Sequence, residues 1–474
     1  MRAVRHLRLT MLFSLGLYGF MLLGVGAQRS AIAQASSAAG GSNVEREFQA
    51  AMAAKDQGDL DRAERLLLAL HAAHPGIFAV DESLGLILVS RGEVLRALPL
   101  LQSGVREQPS SDAAHANLGA ALYSLHRNVA ALAELQEAAR INPGNVSTQQ
   151  SLGRLYLEMQ KPDKAADAFV AAVELRPDDA DLQLDCVTAL LAADRLNEAQ
   201  SILSTFAGAD ESARAQSLLG EVSEKRGQFQ DAIAHLVRAA QLDPSEENAW
   251  QLGAEFLRHW TFAEAIREFE AAAVKFPAST RMRFGLGAAY YGAGRYGEAI
   301  PVFANLLDGD QNNAQYAKLL GMACTAPTDK PQPRCDALVT YTRAHPHDAV
   351  VATEAASMLL HQRPADDNVA LARRLLTAAL AADPKLADAQ YEMGLLRQDQ
   401  GDWAGSIANL KLAVKLKPDL TQAHYRLALA YRRTAEPQAA QSEMDLERKY
   451  AKQEQDDEDS SLRQITTFVV NLRN

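Results

Sequence analysis

Prolines punctuate this chain at a fixed interval. Pro75, Pro109, Pro143 and Pro177 stand 34 residues apart, and Pro244, Pro277, Pro346, Pro384 and Pro418 continue the series with small drift and two copies lacking proline. Such a period marks an array in which each unit is one supersecondary element that cannot bury its apolar face alone. It restricts the fold more than length does, although 474 residues already exceed an ordinary compact domain. Aromatics make up only 6% of the chain, while Ala and Leu, which head the helix-propensity ranking, are abundant.

Other positions keep step with the prolines. Small residues recur nine or ten residues after each boundary: Gly85, Gly119, Gly153, Gly220, Gly253, Gly287, Gly321 and Gly394. Twelve further on stand Ala97, Ala131, Ala165, Ala232, Ala265, Ala299 and, late in the chain, Ser406. Four beyond those stand Leu101, Leu135, Phe169, Leu236, Phe269, Phe303 and Leu410. Two helices of a hairpin approach closely only where the touching residues are small, so the Gly and Ala are expected at that contact. The large residue is expected to fill the groove against the next hairpin. Gly58, Gly92, Gly227, Gly294 and Gly401 suit the left-handed residue that ends a first helix. Proline then stops the second helix, and an Asp or Ser just beyond caps the next.

These residues resemble the tetratricopeptide repeat family, most cleanly in SLGRLYLEMQKPDKAADAFVAAVELRP. The resemblance implies an all-α fold, an α-solenoid of about twelve stacked helix-turn-helix units forming a right-handed superhelix with a concave groove. The units run from about Val44 to Tyr450. Two departures stand out. The unit from Val187 to Phe206 lacks the glycine. The units near 321–384 carry a Pro-rich insert, with Pro333 where Ala is expected, and then extra residues in RPADDN. Those irregular units mark either a bend or break into subarrays or merely a longer hairpin turn.

Residues 1–33 are of another kind. Arg2, Arg5 and Arg8 precede the apolar run 11–26, and small residues follow, as in a secretory signal peptide. The alternative is an uncleaved inner-membrane anchor through 11–26, for which the run is short. Residues 34–43 read as a flexible leader, 44–450 as the repeat array, and 451–474 as an acidic linker and a C-terminal apolar segment with Leu462, Ile465, Phe468, Val469 and Leu472 on one helical face. A periplasmic location is expected. Loss of the signal, with Arg2, Arg5, Arg8 and Arg29, takes the formal charge from −11 to −15. That charge disfavours nucleic acid and anionic lipid and favours a basic partner.

Of three cysteines, Cys324 and Cys335 flank the Pro-rich insert, where a disulfide would staple the loop outside the cytosol. Their spacing to His345 does not fit zinc. Cys186 reads as a small core residue. YYGAGRYGEAI holds Gly292, Gly294 and Gly297 in a GxGxxG pattern, but a helix precedes it where a dinucleotide site needs a strand, so it reads as a hairpin turn. His71 and His74 read as a solvated pair. No catalytic motif, metal set or cofactor site is evident, and no segment is left over for a catalytic domain.

A partner site is expected on the exposed face of each first helix. The position three before the small contact reads Glu82, Ala116, Gln150, Leu184, Ser217, Trp250, Phe284, Lys318, Tyr391 and Tyr425, with Arg154, Arg258, Tyr291 and Arg432 on the same side. Aromatic and Arg side chains suit anchors of an interface. These residues either line the groove or pack on the neighbouring helix. Some members of the family hold a peptide carboxylate with a Lys, Asn and Arg set; only Lys318 is present here. The functional expectation is a non-catalytic interaction scaffold of the cell envelope that binds a peptide or protein. An envelope assembly or secretion factor is the alternative, and a cell-wall hydrolase the third reading. Membrane association is expected only through the signal or through envelope partners.

Overall fold

The computed structural model describes the backbone of residues 41–326, 333–362 and 366–472, with side chains described at the C-terminal end as far as 455. The signal segment 1–33 and the apolar side chains expected at 462–472 lie outside the described residues. Among the described residues there are 24 α-helices, no strands, and two short 3-10 turns. They pair into twelve helix-turn-helix hairpins, each with a first helix A and a second helix B.

The chain divides after Ala207. The first unit holds repeats 1 to 5: Gly41–Asp56 with Leu60–Ala73, Phe78–Ser90 with Val94–Glu107, Asp112–Ser124 with Asn128–Ile141, Val146–Glu158 with Pro162–Leu175, and Ala180–Ala192 with Leu196–Thr205. The second holds repeats 6 to 12: Ala213–Lys225 with Phe229–Leu242, Glu246–Arg258 with Phe262–Lys275, Thr280–Gly292 with Tyr296–Gly309, Ala314–Thr325 with Asp336–Ala344, Ala349–Gln362 with Asp366–Ala382, Ala387–Asp399 with Trp403–Leu416, and Thr421–Arg433 with Pro437–Leu472. The break falls where helix B has only 10 residues and a 3-10 turn, Ala209–Glu211, replaces the boundary proline. It does not fall at the irregular repeats 9 and 10, through which one continuous core runs from Ala299 to Leu396. The acidic run expected as a linker is carried inside the last helix. The first helix begins at Gly41, within the expected leader.

The small positions are buried at the hairpin contact: Ala97, Ala131, Ala165, Ala232, Ala265, Ala299 and Ser406 are all 0% exposed. The large residue has a contact within its own hairpin that was not expected. It sits in the notch left by the glycine of its own hairpin. A Cβ on Gly153 would lie 2.5 Å from the Phe169 ring, and one on Gly119 would lie 2.7 Å from Leu135. Phe269 does both jobs, since its ring also meets the place of a Cβ on Gly285 in the next A helix.

Helix ends follow from local chemistry. Ser111, Asn145, Asp179, Ser212, Ser245, Ser279 and Asn313 each accept the N–H three residues on and cap an A helix. A second device went unread in the sequence. The A-helix residues His115, Gln149, Gln390 and His424 each reach back to the carbonyl of the boundary proline, at 3.1, 3.3, 3.0 and 2.8 Å. They satisfy a carbonyl that the ended helix leaves without a partner.

The turn between A and B needs a left-handed residue. Gly58, Gly92, Gly227, Gly294 and Gly401 supply it at φ 70–78°, but His126, Gln160, Asp194, Trp260 and Ala435 hold the same turn position at φ 54–62°. A side chain with a Cβ is strained there. Ala435→Gly is therefore expected to stabilise the protein by about 1 kcal/mol, read as a rise in the denaturant midpoint of the C-terminal repeats.

Candidate functional site

In each unit the A helices of neighbouring repeats approach one another more closely than the B helices do. The stack therefore curves with A inside, and hydrogen bonds zip its inner face. Asn117 donates to Glu82 at 2.9 Å, Ser357 donates to Glu392 at 2.7 Å, Ser217 donates to Gln251, and Arg281 pairs with Glu247 at 2.8 Å.

The residues read from the sequence as groove-facing divide by depth. In the first unit Glu82 and Leu184 are buried, and burial raises the carboxyl pKa of Glu82. Gln150 is half-buried, and Arg154 pairs with Asp185 at 3.3 Å. In the second unit Trp250 is half-buried on Phe269, ring centroids 5.7 Å apart, with the Arg281 guanidinium 5.3 Å above it. Half-buried Phe284 faces Tyr316 at 6.1 Å, and Tyr291 meets Tyr296 edge-on at 5.3 Å. Tyr391 is half-buried with its hydroxyl 3.4 Å from Gln422, and Tyr425 is 44% exposed. Lys318 and Arg432 are exposed. The aromatics thus pack on neighbours along one edge and stay open along the other, so both readings of them hold in part. Arg281, which stacks on Trp250, stands outside the positions expected from the sequence to face the groove.

A group of carboxylates on the same inner face was also missed. Glu354 of repeat 10 accepts from Thr325 at 3.4 Å, and burial, followed by the nearby Asp388 charge, pushes its pKa up to about 7. Glu392 of repeat 11 is 7% exposed and burial raises its pKa too; its Oε2 has no hydrogen-bond partner among the described residues. No periodic signal announces it, because the three carboxylates come from positions that differ from repeat to repeat.

Expected bystanders also find their places. Cys324 and Cys335 form a disulfide, Cα–Cα 5.9 Å. Cys186 is fully buried and its thiol is pushed up to about 12 by burial. Gly294 stands in the turn between helices Thr280–Gly292 and Tyr296–Gly309, as a hairpin requires. The histidine pair splits, because His71 bonds the buried Asp81 at 2.5 Å while His74 is exposed. Arg258 is exposed and pairs with Glu255 and with Glu224 of the preceding A helix at 3.3 Å.

Arg258 belongs to a compact ion cluster. Nε2 of His259 lies 3.0 Å from Glu224 and 3.1 Å from Glu255. Burial lowers the imidazole pKa, but the two carboxylate hydrogen bonds outweigh it and carry it up to about 9. Glu224, Glu255 and His259 have the make-up of a metal site. Two carboxylates facing imidazolium and guanidinium are nevertheless already balanced in charge, which makes the group a closed ion network.

Profiles described as tetratricopeptide repeat match residues 48–112, 83–146, 156–222, 261–323 and 391–457, more than half the chain. The chain belongs to the tetratricopeptide repeat family. Among solved structures, this repeat protein is similar to the Cut9–Hcn1 hetero-tetramer of APC/C, at 14% identity over 89% of this chain and 95% of that one, TM-score 0.36. It is similar to YrrB, a repeat protein with an unusual peptide-binding site, at 19% identity over 40% and 97%, TM-score 0.37. PilF of Pseudomonas aeruginosa is 18% identical over 47% and 96%, TM-score 0.37. No curated protein matches it. Tetratricopeptide repeats are protein-interaction scaffolds, and proteins built from them bind peptides or proteins. No helix among the described residues of this repeat protein is long and apolar enough to cross a membrane.

Proposed function

We propose that the chain is a non-catalytic scaffold of the cell envelope that holds an extended peptide or a partner helix along the inner face of its A helices. One observation carries this reading: two sets of neighbouring A helices in the second unit carry aromatic and Arg side chains, Trp250 in repeat 7 with Arg281, Phe284 and Tyr291 in repeat 8, and Tyr391 with the exposed Tyr425 in repeats 11 and 12. A side chain fixed on one side and wet on the other makes an anchor that loses little entropy on binding. Rigid hairpins hold these two sets of anchors in order along the array, which suits an extended chain. The net charge of −11 favours a basic partner and speeds its encounter. The basic, then apolar, segment at 1–33 supports an envelope address.

The test replaces Trp250, Phe284, Tyr391 and Tyr425 with Ala in the full chain and measures affinity for the partner crosslinked in native envelopes. Each anchor is expected to contribute about 2 kcal/mol, so the fourfold variant loses capture while keeping its helical circular dichroism. Undiminished capture would remove the inner face as the binding surface.

A further inference from the structure

Helix B of repeat 12 outruns its own hairpin. Helix B has 14 residues in most repeats and 36 here. His424 of helix A bonds Glu443 at 2.6 Å and stacks on Tyr450, ring centroids 5.5 Å apart. Thr421, the first residue of helix A, meets Glu454 at 3.4 Å. The pairing ends there, because helix A has no earlier turn to offer. Residues 455–472 project beyond it as about 27 Å of helix, at roughly 1.5 Å per residue. That end carries Asp456, Asp457, Glu458 and Asp459, then Leu462, Ile465, Phe468, Val469 and Leu472 at helical spacing. A helix with one apolar face needs something to cover it.

The backbone of the last helix comes against Phe229–Leu242, helix B of repeat 6, in the same unit. Stacking in a linear array brings neighbours together; this approach joins two repeats far apart in the chain. The start of Phe229–Leu242 is a corner both apolar and basic. Phe229 is 38% exposed, and Trp260, in the turn of repeat 7, is 49% exposed. The Phe229 ring lies 4.2 Å from that of His259, which directly precedes Trp260. The stretch 225–231 holds Lys225 and Arg226 against one carboxylate, Asp231. Trp260 stands at φ 57°, where five other repeats place glycine. A large side chain kept in a strained conformation while its surface lies open has a cost that calls for a use.

We propose that the projecting end of the last helix docks on this corner as an intramolecular clasp. Its apolar face covers Phe229 and Trp260, and its acidic run lies beside Lys225 and Arg226. The occupant is the chain's own C-terminal end for three reasons. Its backbone reaches helix Phe229–Leu242, its acidic run is opposite in charge to Lys225 and Arg226, and its apolar residues fall on one helical face. The clasp ties repeat 6 to repeat 12, the two ends of the second unit, which nearest-neighbour stacking alone leaves independent.

Hydrogen exchange on the full chain tests it. The amides of 462–472 are expected to be protected, and Trp260→Gly is expected to speed their exchange about tenfold while helix Thr421–Arg433 keeps its rate. Trp260→Gly keeps the fold, since Gly227 and Gly294 occupy the same turn position in other repeats. Lys225→Glu combined with Arg226→Glu is expected to act in the same direction. Phe468→Asp is expected to loosen helix Phe229–Leu242 in return. The same exchange rate at 462–472 in the unaltered chain and in either the glycine or the charge-reversed variant would overturn the clasp. Protection that grows with protein concentration would overturn it too, by making the occupant a second copy. So would protection that appears only with phosphatidylcholine vesicles, which would make the occupant a lipid surface.

Discussion

Phe269→Ala is expected to destabilise repeats 7 and 8 by about 3–5 kcal/mol. The side chain is 0% exposed, and its ring lies in a double notch, 2.5 Å from where a Cβ would stand on Gly253 and equally close at Gly285. Neither glycine can move in to fill the cavity, because both are held in A helices, Glu246–Arg258 and Thr280–Gly292. The substitution removes the contact within one hairpin and the contact to the next at once. In a linear array, stability is close to a sum of intrinsic and nearest-neighbour terms, so one residue that serves both has an outsized effect. Hydrogen exchange is expected to show reduced protection in those two A helices, with repeats 1 to 4 unchanged. A loss below about 1 kcal/mol would mean that the notch is not filled as described.

Breaking the Cys324–Cys335 bond is expected to cost about 2–3 kcal/mol from the entropy of its loop, which spans 11 residues. Both cysteines are buried, at 0% and 1% exposure, in the core that continues to Leu396. Cys335→Ala keeps the packing closer to native than reduction followed by alkylation. The loss is expected to concentrate in repeats 9 and 10, where the shortened helix Asp336–Ala344 depends on the link for its position. A denaturant midpoint that is the same with and without reductant would contradict this.

The periodic part of the structure was legible because each repeat restates the same steric demand. Gly85, Ala97 and Leu101 recur in phase, with Phe replacing Leu in repeats 4, 7 and 8 and Ser406 replacing Ala in repeat 11. The contact of the large residue with its own hairpin's glycine was not read, since spacing places it on a face without saying every neighbour that face meets. Half the left-handed turn positions were invisible because His126, Gln160 and Trp260 carry no glycine signature. The ion partners of Arg258, Glu224 and Glu255, were not read, because a count along one helix says nothing of the charges on its neighbour. The Glu354 cluster could not be read at all. It arises where the period fails, from the Pro-rich insertion that shortens helix Asp336–Ala344 and lets Glu354 of the next repeat stand against Gly321. The irregularity at 321–384 was visible, but its consequence was not.

The most direct test of the inner-face account is site-specific photo-crosslinking from single positions in the native envelope. A crosslinker at Phe284, half-buried on an A helix, is compared with one at Val274, 84% exposed on a B helix. The account expects one discrete adduct from position 284, lost when Trp250 is replaced by Ala, and none from position 274. The same adduct from position 274, with none from 284, would contradict it.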